Sequence, residues 1–384
     1  MLAAKLLLLT GVLLLGDLDS MRKFILFLLP GLGDVIMFLP TLRELFKAFP
    51  EATFDCLVMF HSTEQILKQF QPRIRRVIYA DFMNMSKISA GFFALSLRKN
   101  EYDVSITSYP ANRPEYNILS FLVGAKIRIA HKYKHLSFVN LPFLNNRLVE
   151  QTEQEHNVEE NIKLLKPLGV DIPKPEHPAE EFPLFLPLSD EHLQFAEDYV
   201  KEKGLDNYQF LIGIHAFCSP FKNQDKRCWS ANNFSRLIDK LGEEYPESRV
   251  LLFGGPQDEE VNERIYNTAS HNPLIVKNLG ILQVAALIKK CRIFISNDSG
   301  LMHTAAAVQV PIVGIFGPTN PVFVHPWGVK HRIVRQDLPC SPCFYYSQKP
   351  LTCRREERDF LCIKGINIDM VFEATRDLLC EIKA

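Results

Sequence analysis

The sequence predicts an α/β protein with two parallel-sheet halves. Short, continuously apolar runs alternate along the chain with stretches that have the apolar spacing of helices. Polar turns that contain Gly, Asp or Ser follow several of these runs. The pattern starts again after a proline-rich stretch at 173–187. Strands that alternate with helices favour a parallel sheet covered on both faces. Two such series predict two Rossmann-like domains facing a cleft.

Composition and charge limit the class of protein. The 384 residues suffice for about two domains, and 47% apolar with 23% charged residues is ordinary for a globular protein. Lys+Arg and Asp+Glu both number 44, so nothing in the net charge indicates a nucleic-acid partner. Most of the nine cysteines are scattered, which is more typical of a reducing cytosol than of a disulfide scaffold.

The N-terminal 20 residues are interpreted separately. Residues 1–15 are Leu-rich, but the run is short for a transmembrane helix and lacks the A-x-A cleavage site of a signal peptide. Met21 stands directly before a basic pair and a strand-like run. We therefore expect residues 1–20 to be an upstream extension, with a membrane-anchoring helix as the alternative. The predicted domains are then 21–187, including the linker, and 188–384.

The first half opens with a strand, a glycine-containing turn and a helix. Residues 24–29 are apolar throughout, which suits a strand buried on both faces. Gly31 and Gly33 permit close approach of a ligand to the backbone, although the third glycine of a dinucleotide fingerprint is absent. Asp34 is either a plain helix cap or a carboxylate that accepts a proton from a hydroxyl nucleophile. Further strands are predicted at 54–59, 77–79 and 104–107.

The second half contains the most informative turn. Asp298, Ser299 and Gly300 follow an apolar run and precede an Ala-rich, helix-compatible stretch. Free backbone N–H groups and the helix dipole favour an anion at such a place. The turn is therefore predicted as a phosphate or diphosphate site, with plain helix capping as the alternative. Strands are predicted at 210–215, 249–253, 293–296 and 312–316, and helices at 190–203, 231–244, 261–270, 282–289, 301–308 and 370–382.

Two basic segments could face anions. Lys226 and Arg227 lie in the polar loop 215–229, and they would stabilise a departing diphosphate if the loop faced the phosphate turn. The alternative is a solvated surface loop, and His215 is interpreted as a structural residue at a strand end. The cluster at 126–135 would suit an anionic acceptor or a membrane surface, or is only a solvated face.

Four cysteines near the C-terminus form the spacing C-x2-C-x9-C-x8-C. They are Cys340, Cys343, Cys353 and Cys362. Four thiolates could hold Zn or Fe tetrahedrally, whereas paired-knuckle sites usually repeat the C-x2-C unit. Reduced buried thiols or occasional disulfides are the alternatives.

Together these motifs resemble glycosyltransferase family 9, the heptosyltransferase-like family, over nearly the whole chain from Met21. The segments that carry the resemblance are LLPGLGDVIMFLPTLRELFKAFPEATFDCLV, DKRCWSANNFSRLIDKL, LLFGGPQDEE and SNDSGLMHTAAAVQVPIVGIFGPTNP. The resemblance implies a GT-B fold with an acceptor-side first domain and a nucleotide-sugar-binding second domain. It also implies a metal-independent, inverting transfer of a sugar, typically heptose from ADP-heptose, to lipid A-linked core sugars.

The same resemblance implies partners and a location. The partners are a nucleotide-sugar donor and a lipid-linked glycan acceptor at the inner membrane face, without nucleic acid. The implied location is cytoplasmic, with or without peripheral attachment to the inner membrane. The cysteine tail resembles that of a protein-modifying subgroup in which such cysteines bind iron. Another nucleotide sugar, a protein acceptor, a nucleotide-sugar epimerase and a non-catalytic binder remain alternative functions.

Residue roles are implied by position in the motifs. Asp34 would be the general base, and either Arg227 or Lys226 would neutralise the leaving group, since the usual Lys-x-Trp-Pro reads Lys-Arg-Cys-Trp-Ser here. The residues implied at the donor are Gly31, Gly33, Gly255, Asp258, Asp298, Ser299, Gly300, His303, Gly317 and Thr319. Gln257 and Glu259 compete with Asp258 for the nucleotide ribose.

Overall fold

The computed structural model describes residues 21–135, 138–173, 175–219, 221–344 and 349–383. The chain divides into two compact units, Met1–Glu176 and His177–Ala384, which we call the first and the second unit. This division falls inside the proline-rich stretch 173–187, whereas the sequence predicts the boundary at its end. The roles of the two domains stay predictions, and the predicted extension 1–20 lies outside the described residues.

Each unit holds a six-stranded sheet in which the described pairings are parallel. The strands of the first unit are β1 Lys23–Leu28, β2 Thr53–Val58, β3 Ile74–Tyr79, β4 Val104–Thr107, β5 Ile127–Lys132 and β6 Arg147–Glu150. Those of the second unit are β7 Phe210–His215, β8 Ser248–Leu252, β9 Leu274–Ile275, β10 Cys291–Asn297, β11 Ile312–Ile315 and β12 His331–Val334. The orders are β3-β2-β1-β4-β5-β6 and β12-β11-β10-β7-β8-β9.

Helices connect the strands. In the first unit they are α1 Leu32–Ala48, α2 His61–Lys68, α3 Lys87–Leu97, α4 Pro114–Val123 and α5 Asn157–Lys163. In the second unit they are α6 Pro178–Glu181, α7 Asp190–Glu202, α8 Ala231–Glu244, α9 Glu259–Thr268, α10 Ile281–Ile288, α11 Gly300–Ala307, α12 Pro321–Val324, α13 Leu361–Lys364 and α14 Ile368–Lys383. Within the described ranges, no helix has both the length and the apolar character needed to cross a membrane.

The central strands are buried because helices cover both faces of each sheet. β7 is buried along its whole length, and β10 is buried at all but one position, as their unbroken apolar sequence predicts. Trp229 and Phe234 pack edge to face, with ring centroids 5.0 Å apart, in the core that also contains β7 and β10. This core fixes the strand ends from which the polar loops of the second unit leave.

Both sheets reverse their strand order at one point. In the first unit the chain runs outward from β1 in one direction and continues from β4 in the other; in the second unit β7 and β10 have these positions. Open α/β sheets bind ligands at the carboxyl ends of the strands beside such a switch point. The turn that contains Asp34 follows β1, and the turn that contains Asp298 follows β10. The fold thus places both predicted turns at switch points.

The prediction of an α/β fold with two Rossmann-like parallel sheets is confirmed. The predicted strands and helices are present, with ends that differ by a few residues. Four strands were not predicted, namely β5, β6, β9 and β12. Three of them are short, and β5 carries the basic cluster, so each lacks the long apolar run that identifies a buried strand.

Candidate functional site at the switch point of the second unit

The ends of β7 and β10 bring two polar loops together. His215 ends β7 and pairs in register with Ser296 of β10. Asn297 links the loops: its side-chain NH₂ donates to the Ala216 carbonyl at 3.0 Å, and its side-chain oxygen Oδ1 accepts from the Trp229 backbone N–H at 2.9 Å. The basic loop is therefore held against the turn that contains Asp298.

Only one of the two candidate basic residues reaches that turn. The Arg227 guanidinium donates to Asp298 Oδ2 at 2.9 Å, and both side chains are largely buried. The Lys226 side chain is 55% exposed and lies 3.3 Å from Asp225. The structure therefore places Arg227, and not Lys226, at the predicted anion site.

Ser299 does not cap the helix that it precedes. It occupies the N-cap position of α11, but its side chain makes no capping hydrogen bond. Instead, its hydroxyl lies 2.8 Å from His215 Nδ1 and 3.0 Å from the Ser296 hydroxyl. The first backbone N–H groups of a helix have no partners within the helix. The alternative of a plain side-chain cap is therefore wrong for Ser299, and the N-terminal N–H groups of α11 are not occupied by it.

His215 connects this turn to the loop after β8. Its Nε2 lies 3.2 Å from Asp258 Oδ2, and the same oxygen accepts the Gly255 N–H at 2.7 Å. In a neutral imidazole, a proton on Nε2 faces the carboxylate, so Nδ1 accepts from the Ser299 hydroxyl. The interpretation of His215 as merely structural missed this link. Its position at the end of a central strand beside the switch point was the available signal.

The three candidate residues in the loop after β8, namely Gln257, Asp258 and Glu259, lie in different environments. Asp258 is buried against His215 and Gly255, whereas Gln257 is exposed and Glu259 is exposed and 3.5 Å from Lys277. A Cβ added to Gly255 would have no neighbour within 4 Å. There is thus open space next to Gly255, while Asp258 fixes the backbone there.

Two further predicted residues are buried with unsatisfied polar atoms. His303 on α11 and Thr319 in the turn after β11 are 3% and 4% exposed. Within the part of the chain that the structure describes, His303 Nδ1 and Thr319 Oγ1 have no hydrogen-bond partner. Burial lowers the pKa of His303 to about 4, so its ring is neutral near pH 7. Buried polar atoms are normally paired, so the two unpaired atoms make His303 and Thr319 candidates for contact with a ligand.

The turn after β11 is fixed by the cysteine-containing tail. The Ser341 hydroxyl donates to the Gly317 carbonyl at 2.9 Å, and the Cys343 N–H donates to the Pro318 carbonyl at 2.9 Å. The Phe344 ring then lies 5.9 Å from the Arg227 guanidinium. The tail therefore supports both the predicted Gly317–Thr319 turn and the arginine.

The four cysteines of the tail are neighbours but do not form a ligand set. All four are free thiols. Burial, and then the proximity of the other three, raises the pKa of Cys362 to about 11. Across the described ranges, no three His, Cys, Asp or Glu side chains are placed to hold a metal ion. A metal at these cysteines therefore stays a prediction.

The first unit contributes Asp34 at its own switch point. Gly31 is the N-cap of α1, no side chain caps this helix, and Asp34 is half-buried in its first turn. The pKa values of Tyr109 and Tyr116 are raised mainly by burial, and the charge of Asp34 adds to both. The predicted base is thus a carboxylate near two phenols, and Gly33 is buried beside it.

The polar groups of the second unit suit the recognition of an anion. The second unit offers a fixed guanidinium, the N-terminus of α11, and neutral buried donors and acceptors. Such preorganised groups stabilise negative charge that develops in a reaction. The first unit offers a carboxylate that can accept a proton.

Comparison with known proteins agrees with this chemistry. The family model described as "Glycosyltransferase family 9 (heptosyltransferase)" matches residues 92–352. Lipopolysaccharide heptosyltransferase 3 of Escherichia coli is 29% identical over 77% of this chain and 83% of its own length. Lipooligosaccharide heptosyltransferase 2 of Campylobacter jejuni is 27% identical over 93% of this chain and 98% of its own length.

Solved structures share the fold. A glycosyl transferase family 9 protein from Veillonella parvula has a TM-score of 0.71 at 22% identity, with 94% of this chain and 98% of that chain covered. The ADP-heptose lipopolysaccharide heptosyltransferase II of E. coli has a TM-score of 0.68 at 22% identity, with 95% and 100% covered. The prediction of a GT-B fold is confirmed.

Proposed function

Because the chain belongs to glycosyltransferase family 9, we propose that it transfers a heptose from ADP-heptose to a lipopolysaccharide core or a related lipid-linked glycan. The transfer inverts the anomeric carbon. The chain is a glycosyltransferase, and the relatives reported above are heptosyltransferases by name. The observation that carries the proposal is the set of groups around the N-terminus of α11. They are the buried, unsatisfied atoms of His303 and Thr319 and the positive charge of Arg227. The proposal places the reaction in the cytoplasm, at the inner face of the membrane.

The donor diphosphate would bind at the N-terminus of α11. Backbone N–H groups from Gly300 onward favour an anion there. The Ser299 hydroxyl is directed to His215, so in this proposal it orients the turn and does not itself donate to a phosphate. His303 and Thr319 would then satisfy their buried atoms on the diphosphate or the sugar.

Arg227 would balance the charge of the leaving group. A guanidinium has several donors, so it can keep its bond to Asp298 and still donate to a phosphate oxygen. Asp298 therefore acts as a positioning residue for Arg227, because a carboxylate would repel a phosphate in direct contact. Lys226, exposed and beside Asp225, has no such role in this proposal.

Asp34 would act as the general base. As the acceptor hydroxyl oxygen forms its bond to the anomeric carbon, the O–H proton passes to the Asp34 carboxylate. The bond between that carbon and the diphosphate oxygen breaks at the same time, and its electron pair stays with the nucleoside diphosphate. Attack opposite to the leaving group inverts the anomeric centre. The step uses no metal ion and no cofactor.

We propose separately that the cysteine tail binds a structural metal, for which its four thiols would have to move closer together than they lie in this structure. Four thiols suit Zn or Fe, and TibC of enterotoxigenic E. coli, whose structure has been solved, is an iron-containing glycosyltransferase. We propose that a metal at Cys340, Cys343, Cys353 and Cys362 would tie the tail to the Gly317–Thr319 turn. Elemental analysis of the purified chain measures its Zn and Fe content, and the Cys343→Ser variant is the comparison.

A product assay tests the proposed function. The chain is incubated with ADP-heptose, or separately with other nucleotide sugars, together with truncated core glycans, and products are detected by mass spectrometry. We expect one heptosyl residue to be added from ADP-heptose only, at a rate about 10²–10⁴ lower in the Asp34→Asn control. Transfer from another nucleotide sugar, an epimerised donor formed without acceptor, or donor binding without any product would each contradict the proposal.

A further inference from the structure

The first unit exposes an unusually large number of apolar side chains in one region. Ile88, Phe92 and Leu95 occupy one face of α3, at the spacing of a single helical stripe, and Ile88 and Phe92 are 74% and 70% exposed. Ala94 and Leu97 on the opposite side of α3 enter the core of the unit. The stripe is therefore a second apolar face that no described residue covers.

Neighbouring segments extend this stripe. α3 packs against α4, and the short 3-10 helix Pro142–Leu144 packs against α4 in turn. The exposed apolar side chains here are Ile118 and Phe121 on α4, Phe143 on the 3-10 helix, and Phe138 and Val139 a few residues before it. We call these residues, together with the α3 stripe, the apolar face. Exposed apolar patches of this kind mark binding sites for proteins or membranes.

Basic side chains outnumber acidic ones in the segments that carry the apolar face. Residues 82–100 and 116–149 contain eight Lys and Arg, and the carboxylates that border these two ranges are Asp81, Glu101, Glu115 and Glu150, in a chain whose net charge is zero. Arg98, at the end of α3, lies against the residue that follows α4: a Cβ at Gly124 would be 2.8 Å from its Nε. The Arg128 guanidinium lies 5.7 Å from the centre of the Phe121 ring.

Only part of this positive charge is neutralised within the unit. Lys126, Lys132 and Lys134 pair with carboxylates from outside the two segments. Lys87 and Lys99, at the two ends of α3, are exposed, and no described carboxylate forms an ion pair with either of them. The charge next to the α3 stripe is thus available to an anionic partner, whereas much of the 126–135 cluster is already paired.

We infer that the apolar face docks on an anionic lipid bilayer, with its aromatic and aliphatic side chains in the headgroup region and Lys87, Arg98 and Lys99 against lipid phosphates. Apolar insertion combined with basic residues is how surface helices bind membranes. A second copy of the chain fits less well, because a twofold contact through this face would bring the same basic residues together. The inference deepens the proposed function and rests on it only for the lipid-linked acceptor.

Co-sedimentation of the full chain with vesicles tests the inference. One set of vesicles is phosphatidylcholine alone and the other contains about one third phosphatidylglycerol. We expect binding to the anionic vesicles only, and we expect Ile88→Ser/Phe92→Ser/Leu95→Ser to weaken it at least about tenfold. The charge variant Lys87→Gln/Arg98→Gln/Lys99→Gln should weaken it similarly. The matched control is Val322→Ser/Tyr266→Ser, which removes two exposed apolar side chains from the second unit and should bind like the unchanged chain.

Several results would overturn the inference. They are full binding by both variants, equal binding to the neutral vesicles, and a self-association in light scattering that the triple Ser variant abolishes without any vesicle binding by the unchanged chain. Transfer to a soluble, delipidated acceptor separates this inference from the proposed function. The rate of this transfer should be the same in the triple Ser variant and the unchanged chain. A chain that binds anionic vesicles but transfers no sugar would contradict the proposed function and leave the docking surface in place.

Discussion

The two sheets have the same strand order, but polar groups are held differently at their two switch points. In the second unit, Arg227, His215 and Asp258 are fixed by buried partners across three loops. In the first unit, Asp34 is a half-buried carboxylate in the first turn of α1, which follows β1 beside the switch point. The same Rossmann-like frame therefore carries two arrangements: interlinked buried side chains at the second switch point, and at the first a half-buried carboxylate that we propose as the proton acceptor.

The first unit does contain a rigid charged cluster, but it lies within the sheet. Asp55 on β2 accepts hydrogen bonds from Arg75, Arg76 and Tyr102. Burial alone would raise the pKa of Asp55, but these hydrogen bonds hold it below its usual value. This network ties β2 to β3 and to the start of β4, so its role is to stabilise the sheet.

The largest expected effect concerns Asp34. Asp34→Asn removes the proposed proton acceptor with little change in shape, so the rate of transfer should fall by about 10²–10⁴. Donor binding, measured by calorimetry with ADP, should change by less than about twofold, because the proposed donor contacts belong to the second unit. Loss of ADP binding with normal turnover of bound donor would contradict the assigned roles.

A smaller effect separates the two adjacent basic residues. Arg227→Gln removes the charge placed at Asp298, and the loss of one such group from a preorganised anion site lowers rates by about 10². Lys226→Gln is the matched control, with an expected change of less than about twofold because the side chain is exposed. Single-turnover rates measure both. The reverse order of effects would move the role to Lys226.

The smallest expected effect is on the free energy of unfolding, and it can be measured for the second unit alone. Both tryptophans, Trp229 and Trp327, are buried in that unit, so their fluorescence follows its unfolding. Burial lowers the pKa of His303 from 6.5 to about 4. The unfolded chain therefore binds more protons than the folded chain as pH falls below about 6.5. The folded chain keeps its whole free energy of unfolding above that pH, where the ring is neutral in both states, and part of it is lost as the pH falls towards 4.

His303→Asn should remove this sensitivity to acid. The free energy of unfolding should then fall less steeply between about pH 6 and pH 4, by up to about 1.4 kcal/mol per pH unit. The exposed His177→Asn serves as the control and should leave the slope unchanged. An unchanged slope in His303→Asn would show that the ring is not buried in its neutral form.

The frame and the turns were predictable from sequence because they depend on local patterns. Apolar runs such as β7 and β10 identify buried strands, and Asp298–Gly300 has the composition of a turn. The partners within the site were not predictable, since they join residues that are far apart in the chain. The bonds that join Asn297 to Ala216 and Trp229 hold the basic loop against the turn, where Arg227 and not Lys226 contacts Asp298.

His215 shows the same limit in a different way. A single histidine at the end of a strand does not by itself separate a core residue from a site residue, and the signal for His215 was its place on a central strand beside the switch point. Its role as a link depends on two loops that reach it from separate strands, with Ser299 on one side and Asp258 on the other. The apolar face was missed because residues 60–150 carry no motif, and exposure becomes visible only when α3 and α4 are packed.

Each sheet is built from one continuous stretch of the chain, and this affects how the chain folds during synthesis. Among the described strands, the first sheet is formed entirely within residues 23–150 and the second within residues 210–334. Domains generally fold as units, the N-terminal one first, as the chain leaves the ribosome. The first unit therefore has every strand of its sheet before the ribosome has made the first strand of the second. Sites in the second unit, including the turn that the cysteine tail supports, can be completed only late in translation.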